Sequence, residues 1–362
     1  MNICVLGNAL SIHTRRLVTY LVNKGHEVCV ISFRKSEIAE VPVYCYEPQH
    51  NNLLYKAFHF LKNLREIKKQ IWEIKPDILH AQYLTSYGFL GALSKFRPLV
   101  VSAMGTDLIV DSEKSLPHRF ILSYVIKEAN LVTLGASHLA MRIQELGGDL
   151  NKTIKVTAGV DTKHFNIRKR LQRDNRRTVI LSCRVFEREQ NIEYLIQALA
   201  PILRKRGDIE VHFCGDGSHR VYCQNLAKEL GIEHNTKFLG FVEHDQMPFH
   251  YYQADIYVSS STSDADHISL MEALACGLFP VVSDIPTNRE WIEDGKNGFL
   301  APLSKPEIFG QKILEAVERT DIRERSKKYN FDMVRSKAEY GKDLEILEEW
   351  YHKLYQGKHA VR

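Results

Sequence analysis

Two acidic side chains, Asp264 and Glu272, stand eight residues apart on either side of a predicted helix start. They follow an apolar run at 254–258, which is typical of a buried strand, and five small hydroxyl residues at 259–263. Gly277 predicts the end of the helix. A loop that leads from a parallel strand to a helix N-terminus is a frequent anion-binding position. Backbone N–H groups there would bind phosphate while the carboxylates accept bonds from hydroxyls, which is what a nucleotide sugar requires.

The length of 362 residues allows two domains of ordinary size, and a hydrophobic content of 44% supports a core in each. The net charge of +5 comes from an excess of Lys and Arg within residues 1–165. No apolar run is long enough to span a membrane, and the first residues resemble a strand rather than a signal peptide. The seven cysteines follow no metal-ligand spacing, and several lie in apolar strands, as expected in a reducing cytosol.

Apolar strands alternate with helical segments along the whole chain, which predicts an α/β fold with parallel sheets. We expect a first domain at 1–165, a polar linker at 166–177 and a second domain at 178–335. A helical pattern at 333–355 predicts a long C-terminal helix, within a final segment at 336–362. The loop after the first strand has one glycine and no G-x-G-x-x-G, so the dinucleotide fingerprint is absent.

The acidic stretch resembles the signature of the retaining glycosyltransferases of family 4, a Glu, seven residues, and a Glu followed by Ala-Met-Ala-Cys-Gly. Here Asp264 takes the first position, and Glu272 precedes Ala-Leu-Ala-Cys-Gly. The segments 280–282, 288–298 and 159–161 are also similar to that family. The resemblance covers nearly the whole chain. It implies the GT-B fold, two Rossmann-like domains that face each other across a cleft, with the last helix crossing back to the first domain.

The resemblance implies a retaining glycosyltransferase of the hexosyltransferase class. It would move a sugar from a nucleotide-sugar donor, preferably a UDP-sugar, to a glycan, lipid-linked or cell-envelope acceptor. Asp264 would hold sugar hydroxyls, Glu272 would accept from the ribose, and Arg184 would stabilise the leaving diphosphate. The other implied donor-binding residues are Gly7, Gly105, Asp107, Arg188, Gly215, Phe241, Asp266, His267, Ile268 and Ser269. His13 is expected on the acceptor side, although a histidine in such a position is more often a polar residue at a helix start.

The chain departs from the family pattern at two positions. Met104 stands where the family has a His that contacts the donor sugar, and Gly105 and Asp107 are the candidate substitutes. Where the family has a Lys, the chain has Glu189 and Gln190, so Arg188 is expected to supply that charge.

The short acidic loop leaves two interpretations open. Asp266 and His267 either read the sugar or cap the helix. Asp264 and Asp266 have the spacing of a divalent-metal motif, but they occupy the place of the carboxylate motif. We therefore expect no metal site and no cofactor besides the donor substrate.

Two other activities fit the same pattern. Nucleotide-sugar 2-epimerases share the two-domain architecture, and a non-catalytic nucleotide-sugar-binding protein would explain the missing His and Lys. Release of an epimer in the absence of an acceptor would indicate an epimerase. Binding without turnover would indicate a non-catalytic binding protein.

A Lys-rich amphipathic stretch at 53–75 predicts a helix with one apolar face. It is either a surface helix packed on the first sheet or an interfacial helix that contacts an anionic membrane. We expect a cytoplasmic protein, with peripheral contact at the cytoplasmic membrane face under the second interpretation. No feature indicates a nucleic-acid partner.

Overall fold

The computed structural model describes residues 1–47, 53–112, 115–157, 159–169, 177–264 and 266–360. Side chains are described for all of these except residues 53–62, 110 and 359–360. The chain forms two compact units. The first unit comprises Met1–Ala158 and Gly341–Arg362, and the second unit comprises Gly159–Tyr340.

The first unit contains a seven-stranded parallel sheet in the order β3-β2-β1-β4-β5-β6-β7. Its strands are β1 Asn2–Leu6, β2 Glu27–Ser32, β3 Val43–Cys45, β4 Ile78–Gln82, β5 Leu99–Ala103, β6 Leu131–Leu134 and β7 Thr153–Lys155. Its helices before the second unit are α1 Ile12–Asn23, α2 Leu53–Ile74, α3 Phe89–Ser94, α4 Leu116–Glu128 and α5 Leu139–Glu145. The central strands β1, β4 and β5 are almost wholly buried, as parallel strands covered on both faces are.

The second unit contains a six-stranded parallel sheet in the order β10-β9-β8-β11-β12-β13. Its strands are β8 Thr178–Cys183, β9 Ile209–Cys214, β10 Thr236–Gly240, β11 Ile256–Ser259, β12 Phe279–Ser283 and β13 Phe299–Ala301. Its helices are α6 Ile192–Leu203, α7 Arg220–Glu229, α8 Met247–Gln253, α9 Ile268–Ala275, α10 Pro286–Arg289, α11 Pro306–Glu318 and α12 Thr320–Lys337. Two apolar cores lie on opposite faces, since neighbouring residues such as Ile180 and Leu181 point into different ones. The predicted pair of parallel α/β domains is confirmed.

The boundary between the units lies at Ala158 and Gly159 rather than at residue 165. Val160 and Phe165 are fully buried in the core of the second unit. The segment that contains them therefore belongs to the second unit, although its sequence was assigned to the end of the first domain. The predicted linker at 166–177 lies largely outside the described residues.

The long helix predicted over 333–355 is two helices. The first is α12, and the second is α13, Lys342–Ala360. Gly341 stands between them with a φ of 97°, a conformation that favours glycine and ends the helical path. The helix α13 is part of the first unit.

The helix α13 is fixed to the first sheet through Tyr351, which is fully buried. Its hydroxyl is hydrogen-bonded to Nδ1 of His80 in β4, and Nε2 of His80 lies 2.6 Å from the Ser102 hydroxyl in β5. Burial lowers the pKa of His80 to about 3, so the imidazole is neutral. A neutral ring with both nitrogens engaged is what a buried histidine requires.

The helix α2 has the predicted amphipathic character where its side chains are described. Ile67 and Ile71 are buried, whereas Lys68 and Lys69 are exposed. The structure does not describe the side chains of residues 53–62, which include Lys62. Within the described part of the chain, no helix has the length and apolar character that crossing a membrane would need.

Candidate functional site

The order of the second sheet reverses between β8 and β11, and the loops after these strands carry the acidic motif and its arginine. Arg184 directly follows β8, and Asp264 lies in the loop after β11. Open parallel sheets bind ligands beyond the carboxyl ends of their strands at such a reversal. The topology therefore brings these two side chains to one edge of the sheet.

The guanidinium of Arg184 has three hydrogen-bonding partners. Nη2 donates to the Asp264 carboxylate, Nη1 donates to Oγ of Ser269 at 3.2 Å, and Nε donates to Oε1 of Gln190. The side chains of Arg184 and Asp264 are only 12% and 13% exposed. Burial alone would lower the pKa of Arg184, but Asp264 raises it above its ordinary value. The positive charge is therefore retained, and Asp264 compensates it.

A second set of hydrogen bonds fixes the protonation of His267, which is fully buried. Nδ2 of Asn288 donates to the Ser283 carbonyl at 2.8 Å, so Oδ1 of Asn288 faces Nδ1 of His267 at 2.6 Å. Burial and the nearby charge of Arg184 lower the pKa of His267 to about 4. The ring is therefore neutral, with its proton on Nδ1, and Nε2 is an acceptor.

The hydroxyl of Tyr257 joins these two sets. It lies 3.0 Å from Nε2 of His267 and 2.8 Å from Oγ of Ser269. Because Nε2 accepts, Tyr257 donates to it, and Ser269 donates to Tyr257 while it accepts from Arg184. The result is a directional chain of hydrogen bonds through Arg184, Ser269, Tyr257, His267 and Asn288, which we name the buried relay.

Glu272, in α9, is 4% exposed and is engaged on both oxygens. Oε1 lies 2.7 Å from Nε2 of His244, and Oε2 lies 3.1 Å from the Tyr251 hydroxyl. The His244 side chain is 34% exposed and borders the solvent, whereas Tyr251 is fully buried. Oε1 of Glu272 therefore faces the partly exposed His244, and Oε2 faces the interior of the unit.

Two predicted residues at the start of α9, His267 and Ile268, have hydrogen-bonding partners within the second unit. His267 neither caps the helix with its side chain nor has a surface that a sugar could contact, since it belongs to the buried relay. The N–H of Ile268, predicted to bind phosphate, donates to the Asp266 carbonyl at 2.9 Å. Asp266 is half-buried, and its predicted contact with the donor stays a prediction.

Gly215 serves the packing of two loops. Its φ is 148°, and a Cβ there would lie 2.1 Å from the Arg184 carbonyl oxygen. The glycine therefore lets the loop after β9 lie directly against the residue that carries the guanidinium. The backbone at Gly215 was predicted to approach another group closely. Within this unit, the group that it approaches is the backbone of Arg184.

Arg188 and Phe241 are both exposed. Gln190, not Arg188, contacts Arg184 among the described residues, and it also accepts from the Ser261 hydroxyl at 2.7 Å. The expectation that Arg188 replaces the family lysine therefore has no contact to support it. Phe241 is 70% exposed after β10, and its role in donor binding stays a prediction.

The first sheet also reverses, between β1 and β4, and Gly7 lies at that point. A Cβ at Gly7 would lie 2.9 Å from Oε1 of Gln82 and 3.1 Å from Oγ1 of Thr14, whose side chains are hydrogen-bonded to each other. A side chain at Gly7 would therefore push the Gln82 amide away from its hydrogen bond with Thr14. His13 is partly buried, and burial together with Arg16 lowers its pKa to about 4.

Asp107 holds a turn of the first unit together, and its predicted contact with the donor stays a prediction. It is fully buried, and its carboxylate accepts from the backbone N–H groups of Leu84, Met104, Gly105 and Leu108. Burial raises the pKa of Asp107 to about 6, against the lowering effect of these four bonds. Gly105 has a φ of 91° and forms part of the turn that Asp107 holds.

The sequence interpretation did not assign a site role to Tyr257 and Asn288 of the buried relay or to the partners of Glu272. Tyr257 lies in an apolar strand and Tyr251 in a short helix, where both are typical core residues. Gln190 carried a usable signal, because it occupies the position of the family lysine six residues after Arg184.

Two family models match the chain. One, described as glycosyl transferases group 1, matches residues 163–333, and the other, described as glycosyl transferase 4-like, matches residues 2–135. An uncharacterized glycosyltransferase of Methanocaldococcus jannaschii, MJ1607, is 27% identical over 324 residues, or 82% of each chain. The alpha-monoglucosyldiacylglycerol synthase of Streptococcus pneumoniae is 23% identical over 328 residues, which are 82% of this chain and 72% of the synthase.

Among solved structures, HepE of Anabaena in complex with UDP is similar with a TM-score of 0.80. The similarity covers 98% of this chain and 100% of HepE at 18% identity, so it concerns the fold. Both halves of the sequence match glycosyltransferase models, and both units have the parallel sheets of such enzymes. The chain therefore belongs to the family 4-like glycosyltransferases with the GT-B fold.

Proposed function

We propose that the chain transfers a sugar from a UDP-sugar to a glycan, lipid-linked or cell-envelope acceptor with retention of anomeric configuration. The observation that carries the proposal is the Arg184 charge, which is held beside Asp264 at the point where the second sheet reverses. HepE, whose structures contain UDP and UDP-glucose, supports the donor. The synthase of Streptococcus pneumoniae, named for a glycolipid product, supports a lipid-linked acceptor.

Donor binding requires an exchange of partners at Arg184. Negative charge grows on the leaving diphosphate as the anomeric bond breaks, and a preorganised positive group stabilises that charge. Since Asp264 already compensates Arg184, the diphosphate takes Nη2 from the carboxylate, while Gln190 and Ser269 keep the guanidinium in place. Asp264 is then available to accept hydrogen bonds from the hydroxyls of the sugar.

Glu272 binds the ribose in this proposal. Its outer oxygen faces His244, which is partly exposed, so ribose hydroxyls reach it by displacing or joining that imidazole. Tyr251 holds the inner oxygen and keeps the carboxylate oriented. The nucleoside half of the donor would therefore lie over the turn that carries His244.

Retention follows from attack on the face that the diphosphate leaves. The acceptor oxygen forms its bond to the anomeric carbon as the bond to the phosphate oxygen breaks, and that phosphate oxygen takes the acceptor proton. This route needs no carboxylate as a nucleophile. It is compatible with an Asp264 that is mostly buried and paired.

The proposal is tested first by a thermal-shift screen against UDP-, GDP- and ADP-sugars, because a ligand stabilises the state that it binds. The UDP-sugars are expected to raise Tm most. Transfer by Arg184→Ala and Glu272→Ala is then measured, and each is expected to lose about 10²–10³-fold in rate. Arg289→Ala is the matched control, since it also removes the arginine of an Arg–Asp pair, but an exposed one. Transfer at the control rate in both site variants would overturn the assignment.

Incubation of the donor without acceptor separates the remaining activities. Release of an epimerised sugar would show that the chain is a nucleotide-sugar 2-epimerase and would overturn the proposal of transfer. Tight binding with neither transfer nor epimer would indicate a non-catalytic binding protein, an alternative that the missing family His and Lys suggest.

A further inference from the structure

A group of three potential metal ligands lies on the first unit, whereas Arg184, Asp264 and Glu272 belong to the second unit. Glu348 and His352 are one turn apart on α13, so both project from the same side of the helix. His26 lies just before β2, and its Nε2 atom is 3.0 Å from Oε1 of Glu348. One ligand atom from each of the three side chains lies within 4.8 Å of the other two.

The surroundings orient these side chains. Oε2 of Glu348 accepts from the Tyr20 hydroxyl at 2.9 Å and lies 3.9 Å from Nζ of Lys24, so Oε1 is the oxygen that faces His26. The other nitrogen of His26, Nδ1, lies 3.4 Å from the amino nitrogen of Met1. His26 and Glu348 are mostly buried, with side chains 6% and 16% exposed. Outer hydrogen bonds that orient a carboxylate or an imidazole are a general property of metal sites.

We propose that His26, Glu348 and His352 bind a divalent transition-metal ion, with Zn²⁺ as the expected ion, and that the ion fastens α13 to the first unit. Two imidazole nitrogens and one carboxylate oxygen are a donor set of three-ligand zinc sites, in which water takes the fourth position. Mg²⁺ and Ca²⁺ prefer oxygen ligands throughout, so they do not fit this set.

The distances suit this coordination. Ligand atoms about 2.1 Å from a tetrahedral zinc ion are about 3.4 Å apart, and the His26–Glu348 pair already approaches that separation. His352 is exposed, so rotation of its side chain can bring the third ligand into place without moving the helix. Zinc binding at Nε2 displaces the proton that lies between His26 and Glu348, which is released to solvent, and Nδ1 takes a proton from the Met1 ammonium so that the imidazole stays neutral.

The ion would act on stability and not on transfer. It would join residues separated by more than 320 positions in the chain, and a link that closes so long a loop stabilises the folded state most in principle. The acidic motif and Arg184 belong to the second unit. Removal of the ion is therefore expected to lower the Tm of the first unit without lowering the rate of transfer at 25 °C.

The test uses the full chain after treatment with a chelator, with ZnCl₂ as the probe and MgCl₂ as the comparison. Calorimetric titration is expected to give one tight zinc equivalent, and Tm is expected to rise by roughly 5–10 °C at a hundredfold excess over Kd. MgCl₂ is expected to do neither.

Three variants make the result specific. His352→Ala removes an exposed ligand and Glu348→Gln removes the ligand charge, and both are expected to weaken zinc binding by at least about tenfold. His234→Ala removes an exposed imidazole from the second unit and is expected to bind zinc as the wild type does.

Cobalt supplies a readout that does not depend on stability. Co²⁺ in place of Zn²⁺ is expected to give the visible absorption of a tetrahedral site in the wild type and to lose it in His352→Ala. Equal zinc affinity in the wild type and His352→Ala, or the lack of a tight equivalent in the wild type, would overturn the proposal and leave the group as a hydrogen-bonded cluster.

Discussion

Replacement of Tyr257 by Phe removes one hydroxyl from the middle of the buried relay and keeps the shape of the side chain. The hydroxyl donates to His267 at 3.0 Å and accepts from Ser269 at 2.8 Å, and the residue is fully buried. Because water cannot replace the hydroxyl, Nε2 of His267 is left as an unsatisfied buried acceptor, which costs about 1–3 kcal/mol. The lost bond to Ser269 adds about 1 kcal/mol.

We therefore expect the free energy of unfolding of the second unit to fall by about 2–4 kcal/mol in Tyr257→Phe, and its Tm to fall by roughly 5–12 °C. Urea unfolding followed by tryptophan fluorescence measures this change, because Trp291 is the tryptophan of the second unit and is buried. Far-UV circular dichroism over the same urea range tests whether one transition accounts for both signals.

Tyr194→Phe is the matched control for this measurement. Its hydroxyl bonds the Pro302 carbonyl at 3.4 Å in an exposed setting, so the change in unfolding free energy is expected to stay within about 0.5 kcal/mol. If Tyr257→Phe costs no more than Tyr194→Phe, the directional relay and the neutral His267 are refuted.

Three further predictions concern pH, metal and membrane. The free energy of unfolding of the second unit should fall as the pH drops from about 6.5 to about 4, because His267 binds a proton in the unfolded chain over that range, whereas burial lowers its pKa to about 4 in the folded unit; a flat profile of urea unfolding of that unit against pH would contradict this. Transfer at 25 °C should persist in EDTA even if EDTA lowers Tm, and rescue of a lost rate by Mg²⁺ or Mn²⁺ would make the acidic loop a metal site. Anionic liposomes should sediment the chain at low salt, less at high salt and less when Lys62, Lys68 and Lys69 become Glu, since each basic residue near an anionic surface contributes about 1 kcal/mol; equal recovery with neutral vesicles would leave membrane contact without support.

The fold was predictable because strand and helix periodicity repeats along the chain, and parallel order follows from the alternation. The contact between Arg184 and Asp264 was partly predictable, since both follow strands that end at one edge of a sheet. The buried relay was not predictable, because a histidine in a polar loop gives no local signal of burial. The protonation state of His267 depends on the packing of Tyr257 and Asn288 around it. The burial of Asp107 was not predictable for the same reason, as its four backbone donors come from two separate segments.

The second unit is inserted between two pieces of the first, which has a consequence for synthesis of the protein. A ribosome delivers β1–β7, then the whole second unit, and only then α13. Until α13 emerges, His80 has no Tyr351 and Tyr20 has no Glu348, whereas the second unit already holds its whole sheet and its relay. Domains generally fold as units during synthesis. The second unit is therefore complete before the first unit is. A chain that stops before α13 would contain the whole acidic motif but an incomplete first unit.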